Sequence, residues 1–304
     1  MAMNLQVRDL LYFVKVAELG HLGRASHALH ITQPALSKCI DRLEETYGAD
    51  LFERSGRGIR LTDAGHLLYT RSLLVERTLD ETYRQISSLG KGLAGLIRAG
   101  AAATVAEFIM PEACRALQQE APDVVIDLQI GMNDVLHESL RSRLLDVVIG
   151  PLGTRDEELV GIPITEDHVV VAVSATHPLA GQHAPLEDMC EYGWVLPARS
   201  VATRQWLERV FAARGLPPPR AAIMTSSINA VPRLIAETGL LSFISRRNLN
   251  DRRFAPRLVE VFNADTTMTR EFGVVHRTDA YLSPATQRFI QIVQAQSKPP
   301  RDAA

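Results

Sequence analysis

The chain has 304 residues, 46% of them hydrophobic, with a formal net charge of −2 and three cysteines. That length predicts about two domains plus connections, and the near-neutral charge excludes nucleic-acid binding by bulk charge alone. No apolar run reaches the roughly 18 residues of a membrane span, and the N-terminus lacks the apolar region of a signal peptide. Cys39, Cys114 and Cys190 are scattered, which fits reduced thiols in a cytoplasm and not a disulfide framework.

Leu10, Phe13, Val14 and Ala17 form the apolar stripe of a first helix, and Gly20 ends it as a C′ glycine. Gly23 to Leu29 reads as a short second helix, with His30-Ile31 as a tight connection. The third helix is Ile31 to Tyr47, whose stripe is Leu36, Ile40, Leu43 and Tyr47. Thr32 is placed to cap it, and Pro34 is tolerated in a first turn whose N–H groups have no intrahelical partner. Pro34, Ser37, Lys38 and Asp41 lie off the apolar stripe. Three helices with a short turn before the last is a helix-turn-helix plan. Leu51 to Thr62 then predicts two short strands around Ser55-Gly56-Arg57-Gly58, carrying Arg54, Arg57 and Arg60 as a basic wing. Residues 1–61 hold eight Lys/Arg against seven Asp/Glu, net +1. Any DNA binding must therefore rest on local placement of charge and on dimerisation.

Leu10 to Gly65 closely resembles the LysR-type transcriptional regulators: the Thr-Gln-Pro-Ala-Leu-Ser, Leu-Phe-Glu-Arg and Leu-Thr-x-Ala-Gly runs occur in order and at that family's spacing. The resemblance implies a DNA-reading set of Thr32, Gln33, Pro34, Ser37, Lys38, Arg54 and Arg57. Gln33 is then suited to a bidentate contact with adenine, and Lys38 to guanine or phosphate. Asp41 is expected to pair with Lys38 in preference to accepting from cytosine, and Arg60 either joins the wing's DNA contacts or pairs with an acid of the following helix.

Thr62 to Leu89 is free of proline. Its twenty-eight residues at about 1.5 Å each span roughly 42 Å as one helix. Leu67, Leu68, Leu74, Val75, Leu79, Tyr83, Ile86 and Leu89 form a broken seam that one chain alone does not bury, so a partner chain is expected to cover it. In the resembled family this helix pairs with its copy, and a tetramer forms through the effector domains. Gly90, Gly92 and Gly95 are the expected hinge.

From Leu96 onward, short apolar runs alternate with helices. IRAGAAA, VVIDLQI and DVVIG read as strands around helices Thr104–Glu120 and Asn133–Leu144, hence βαβαβ and a parallel sheet. An extended segment, Leu159 to Ser174, precedes a second set: WVL, helix Thr203–Arg214, AAIMT, helix Ser227–Thr238 and LLSFIS. The chain returns along Thr269–His276 to a last helix, Pro284–Gln296. Crossings near Pro163–Asp167 and Asn263–Thr269 divide this half into two lobes. The expected fold is thus α/β with an all-α/winged N-terminal part. A winged helix-turn-helix spans 1–61 and a linker helix 62–91. The effector domain, 92–304, resembles periplasmic binding proteins, with lobe I at about 92–165 and 266–304 and lobe II at about 166–265.

Ligands of such sheets bind at the carboxyl ends of strands. Thr104, Asn133, Thr203 and Ser227 stand at four strand-to-helix junctions, each expected to cap its helix. Four converging helix N-termini favour an anion. By resemblance, Thr104 and Asn133 match positions where effector-binding members carry Ser or Thr, and Pro151 stands where some carry Arg. Arg199 and Arg204 are the nearby cationic substitutes, and Ser200 completes the expected effector set. No metal cluster, nucleophile elbow, P-loop or cofactor motif is found, so neither a metal nor a cofactor is expected. The reading is a non-enzymatic, DNA-binding regulator controlled by a small, anionic organic effector. Its partners are promoter DNA, the effector (an organic acid favoured) and its own copies as homodimer or homotetramer, with RNA polymerase a candidate. The alternative is a small-molecule-binding protein or enzyme whose N-terminal helices only dimerise, and the arginine-bearing hairpin argues against it.

Overall fold

A computed structural model describes residues 5–56, 58–88, 93–153, 156–255 and 257–296. Arg57, Leu89, Gly90 and Gly92 lie outside the described residues, and so does that part of the wing and hinge expectations. The chain forms two compact units, 1–89 and 90–304.

The first unit opens with α1 (Val7–Leu19), α2 (Leu22–Ala28) and α3 (Gln33–Tyr47). Gly20 ends α1 in the left-handed region at φ 59° and returns its N–H to the Val16 carbonyl. His30 makes the turn into α3 at φ 54°, a backbone conformation few side chains tolerate. Phe13, Leu36 and Leu43 are fully buried in the three-helix core, joined by Ile40 and Cys39. Tyr47, expected on that stripe, is instead exposed at the end of α3, where the core has run out. The hairpin follows as β1 (Phe52–Ser55) and β2 (Gly58–Leu61). Ile59 donates its N–H to the Gly20 carbonyl at 3.0 Å, and a Cβ on Gly58 would meet that same oxygen at 2.7 Å. Glycine at 58 therefore lets the wing dock on the end of α1. The linker helix α4 (Asp63–Ser88) leaves the hairpin past Gly65, where a Cβ would collide with the Leu51 carbonyl at 2.1 Å.

The second unit has one nine-stranded sheet in two halves. In lobe I, β3 (Gly95–Ala102) lies parallel to both β4 (Val124–Gly131) and β5 (Val147–Pro151). Helices α5 (Ala103–Phe108), α6 (Met110–Glu120), α7 (Asn133–Arg141) and the C-terminal α11 (Pro284–Gln296) cover it. The single helix expected over Thr104–Glu120 is broken, because Pro111 has no N–H for the Glu107 carbonyl and its ring clashes there. In lobe II, β7 (Trp194–Leu196) lies parallel to β8 (Ala221–Met224) and β9 (Leu241–Ser245). Trp194 and Phe211 are buried at its centre. Lobe II also contains α8 (Leu186–Met189), α9 (Ala202–Ala213), α10 (Val231–Thr238) and the short β10 (Leu258–Val261), a strand not expected from sequence. Two long antiparallel strands, β6 (Leu159–Ser174) and β11 (Met268–Arg277), run through both halves and pair with each other. Among the described residues no helix is long and apolar enough to cross a membrane.

Candidate nucleic-acid interface and ligand cleft

The DNA-facing side of the first unit is built on the start of α3. Thr32 accepts a hydrogen bond from the Ala35 N–H at 3.4 Å, so its hydroxyl fixes the first turn. Gln33, Pro34 and Lys38 are exposed and Ser37 is half-buried. Lys38 and Asp41 do not pair; each is exposed without an ion-pair partner among the described residues. Their i,i+3 spacing would allow a pair, and both side chains are instead left to solvent. The acid that is used is Asp9, buried in the first turn of α1, whose carboxylate meets Arg42 of α3 at 2.7 Å and joins the two helices. Burial pushes the neighbouring Cys39 thiol up to about 12, so it stays protonated and unreactive.

Beside Gln33 lies a cavity of about 590 Å³ walled also by His21, Arg24 and His27. His21, which sequence reasoning left unassigned, accepts from the Gly23 and Arg24 N–H groups through Nδ1 and so caps α2. Its signal was its place directly after the C′ glycine. In the wing, Arg54 is exposed and has no ion-pair partner among the described residues. Arg60 bonds Glu53 across the hairpin at 2.7 Å and not an acid of α4, because register sets the two directly opposite.

In the second unit the four junction residues were expected to cap their helices, and none does. α5, α7 and α9 start at Ala103, Asn133 and Ala202, with Ala102, Met132 and Val201 as N-caps that contribute no side-chain bond. Thr104, Asn133 and Thr203 thus fall inside the first turn. Ser227 precedes a 3-10 turn (Ile228–Ala230), also without a side-chain cap, and α10 begins only at Val231. Their polar side chains are therefore not consumed by capping. Asn133 donates to the Pro151 carbonyl at 3.1 Å, tying the ends of β4 and β5, while its buried Oδ1 has no hydrogen-bond partner among the described residues. A Cβ on Gly150 would stand 2.9 Å from that oxygen, so glycine makes the approach possible.

The cationic substitutes also differ from expectation. Arg204 is buried and committed, donating to the Pro197 carbonyl at 2.6 Å and to Glu208 at 2.9 Å. Arg199 is exposed, 4.0 Å from Glu208, and Ser200 offers its carbonyl to Gln205. The cations at the lobe crossing are Arg270 and Arg247. Asp167, buried on β6, accepts from Ser245 at 2.6 Å and from Arg270 at 2.8 Å, with Arg247 at 3.8 Å. Arg270 also donates to the Thr104 hydroxyl at 3.4 Å, linking the first helix of lobe I to both crossing strands. A buried carboxylate needs such partners. The polar Glu166-Asp167-His168 run directly before the apolar stretch of β6 was the available sequence signal.

Two family models match. The LysR substrate binding domain covers residues 90–298, and the bacterial regulatory helix-turn-helix protein, lysR family, covers residues 7–66. The chain is 29% identical to the RuBisCO operon transcriptional regulator of Allochromatium vinosum, over 97% of each chain. It is 28% identical to the HTH-type transcriptional regulator CysL of Bacillus subtilis, over 87% of this chain and 88% of the other. Among solved structures, full-length CbnR with its target DNA superposes with a TM-score of 0.70 at 20% identity, covering 97% of this chain and 100% of the other. HinK of Pseudomonas aeruginosa gives 0.56 at 24%, covering 97% and 99%.

Proposed function

The chain belongs to the lysR family of bacterial regulatory helix-turn-helix proteins, a DNA-binding transcriptional regulator with an effector-binding domain and not an enzyme, and we propose that it reads a pseudo-palindromic promoter site under control of a small anionic organic effector. We adopt the division into reading head (1–61), linker helix (62–91) and effector domain (92–304). The observation that carries the DNA half is the exposed set of α3, Gln33 and Lys38, together with the exposed Arg54 of the wing; neither Lys38 nor Arg54 has an ion-pair partner among the described residues. Gln33 reads a base edge, while Arg54 holds phosphate and sets the register. The linker helix supports a dimer, since Leu67, Val75, Leu79, Tyr83 and Ile86 are all exposed along it. Tetramer formation through the effector domains and contact with RNA polymerase belong to the same reading. A regulator of promoters works beside the chromosome, which places it in the cytoplasm.

The ligand half is supported by Thr104, Asn133, Thr203 and Ser227, none spent on capping, with Arg270 as the cation that Pro151 lacks. Arg204 is withdrawn from this role by its burial against Glu208. A ligand touching both lobes favours one arrangement of β6 and β11, and that shift carries to the DNA heads of a dimer. A gel shift with the upstream region of its own gene tests the DNA half. A thermal-shift screen of organic acids on the full chain tests the ligand half. No shift on any duplex, or no acid that stabilises the chain, would remove the respective half.

A further inference from the structure

A second cavity, of about 670 Å³, lies in lobe II between the outer face of α10 and the segment that precedes β10. Its chemistry comes from Arg233, Leu234, Glu237, Arg253, Phe254 and Arg257, none of them a junction residue of the cleft. Arg233, Leu234 and Glu237 recur at three- and four-residue spacing, so one helical face forms one wall. The lining holds three guanidiniums and one carboxylate, and Asp251 and Glu107 reach Arg253 from outside it, so Arg233 is the guanidinium left without an acid among the described residues.

Those guanidiniums are accessible. Arg233 has no hydrogen-bonded or ion-paired partner among the described residues and acts on Glu237 only at longer range. Arg257 meets Glu237 at 2.5 Å, but both side chains are more than half exposed, and such pairs are weak. Arg253 lies over the Phe254 ring, 5.4 Å from its centroid, and touches both Asp251 and Glu107 while staying 58% exposed. Phe254 and Leu234 add apolar surface. Planar guanidiniums match the oxygens of a phosphoryl group in pairs.

From this arrangement we propose a second ligand site, for a phosphate monoester carried on an apolar or aromatic body. The phosphoryl group takes Arg233 and competes with the exposed carboxylate for Arg257, and the body lies against Phe254 and Leu234. The site also bears on regulation, a consequence that rests on the effector reading above. Glu107 belongs to α5 of lobe I, so its pair with Arg253 joins the two lobes. A phosphate that draws Arg253 from Glu107 releases that join and opposes any cleft ligand that closes the lobes, and the antagonism is reciprocal.

Phenyl phosphate titrated into the full chain, followed by calorimetry and by amide hydrogen exchange, tests the site. Protection is expected in residues 229–237 and 251–258, and inorganic phosphate, lacking the body, is expected to bind more weakly. Arg233→Gln and Arg257→Gln, both at exposed positions, should each lower affinity for phenyl phosphate about ten-fold, with DNA affinity and thermal stability unchanged. Thr104→Val, which alters the cleft, should leave phenyl phosphate binding as in the wild type. Equal binding by the two arginine variants, or protection confined to other segments, overturns the site. Loss of binding in Thr104→Val also overturns it, by placing the phosphate in the cleft. Inorganic phosphate binding as tightly as the ester overturns the apolar half of the assignment. None of these outcomes touches the promoter reading, which the gel shift decides separately.

Discussion

Glu53 and Arg60 face each other across the wing hairpin, and the carboxylate takes the guanidinium at 2.7 Å. The pair neutralises one of the wing's arginines and leaves Arg54, on the same strand as Glu53, as the described cation without an acid.

The two arginines should therefore separate in a salt titration. Arg54→Ala is expected to weaken binding to every duplex about uniformly and to lower the salt slope by roughly one. Arg60→Ala should change the slope far less, because its charge is already balanced by Glu53. Equal slopes for wild type and Arg54→Ala would take the wing off the DNA.

Gln33 stands one residue after the capping Thr32, exposed at the head of α3. Gln33→Ala should cost about 1–3 kcal/mol on the correct site and little on scrambled DNA. The Thr32 cap and the pair of buried Asp9 with half-exposed Arg42 hold the helix in place without it, so fold stability should not fall. Binding isotherms that weaken equally on both duplexes would deny Gln33 a base contact.

The helix-turn-helix was legible because its signals are local: a C′ glycine, a Thr-x-Pro start and stripes at helical spacing. The two-lobed sheet was legible from apolar runs ending in polar junctions. The junctions themselves were misread by a step. At Ala102-Ala103 the strand turns directly into helix, so Thr104 falls within the first turn instead of capping it. Tertiary charge pairing was illegible. Arg270 reaches Asp167 across 103 positions only because β11 runs antiparallel to β6, a pairing that no window of sequence displays.

On the linker helix, Leu79 is 45% exposed and Ile86 63%, more than an apolar seam of a stable helix keeps in water. Leu79→Glu would bury an unpaired charge in a two-chain seam, at a cost of several kcal/mol to assembly. The variant should sediment as a smaller species than the wild type. Unchanged sedimentation would move the assembly contact elsewhere.

Acid should weaken the effector domain through two histidines. Burial holds the imidazoles of His137 and His177 below their ordinary value, helped at His137 by the charge of Arg141. As pH falls through about 6.5 the unfolded chain takes up those protons first, so folding loses free energy. The stability is present above that pH and is lost progressively below it. His177→Asn keeps an acceptor near the Leu179 N–H, which His177 Nδ1 now satisfies at 3.1 Å. Calorimetric melting between about pH 7.5 and about pH 5.5, above the range where carboxylates titrate, should show a shallower decline in this variant. An identical decline would assign the protons to other groups.

The cleft is best probed through Thr104, not through the cation it touches. Arg270→Gln would strip a buried Asp167 of its main partner, and breaking a buried pair costs about 3–5 kcal/mol, so the variant would report on folding. Thr104→Val keeps the shape of the residue and removes only the hydroxyl that accepts from Arg270 at 3.4 Å. With an organic acid found by screening, its affinity should fall by about 1–2 kcal/mol, roughly five- to thirty-fold, because the ligand loses a hydrogen-bond partner and Arg270 loses an anchor. DNA affinity without effector should stay the same, since the two sites communicate only through the ligand-driven shift. Calorimetry on the full chain measures both. Equal effector affinity for wild type and Thr104→Val would mean that the ligand does not lie on the first turn of α5.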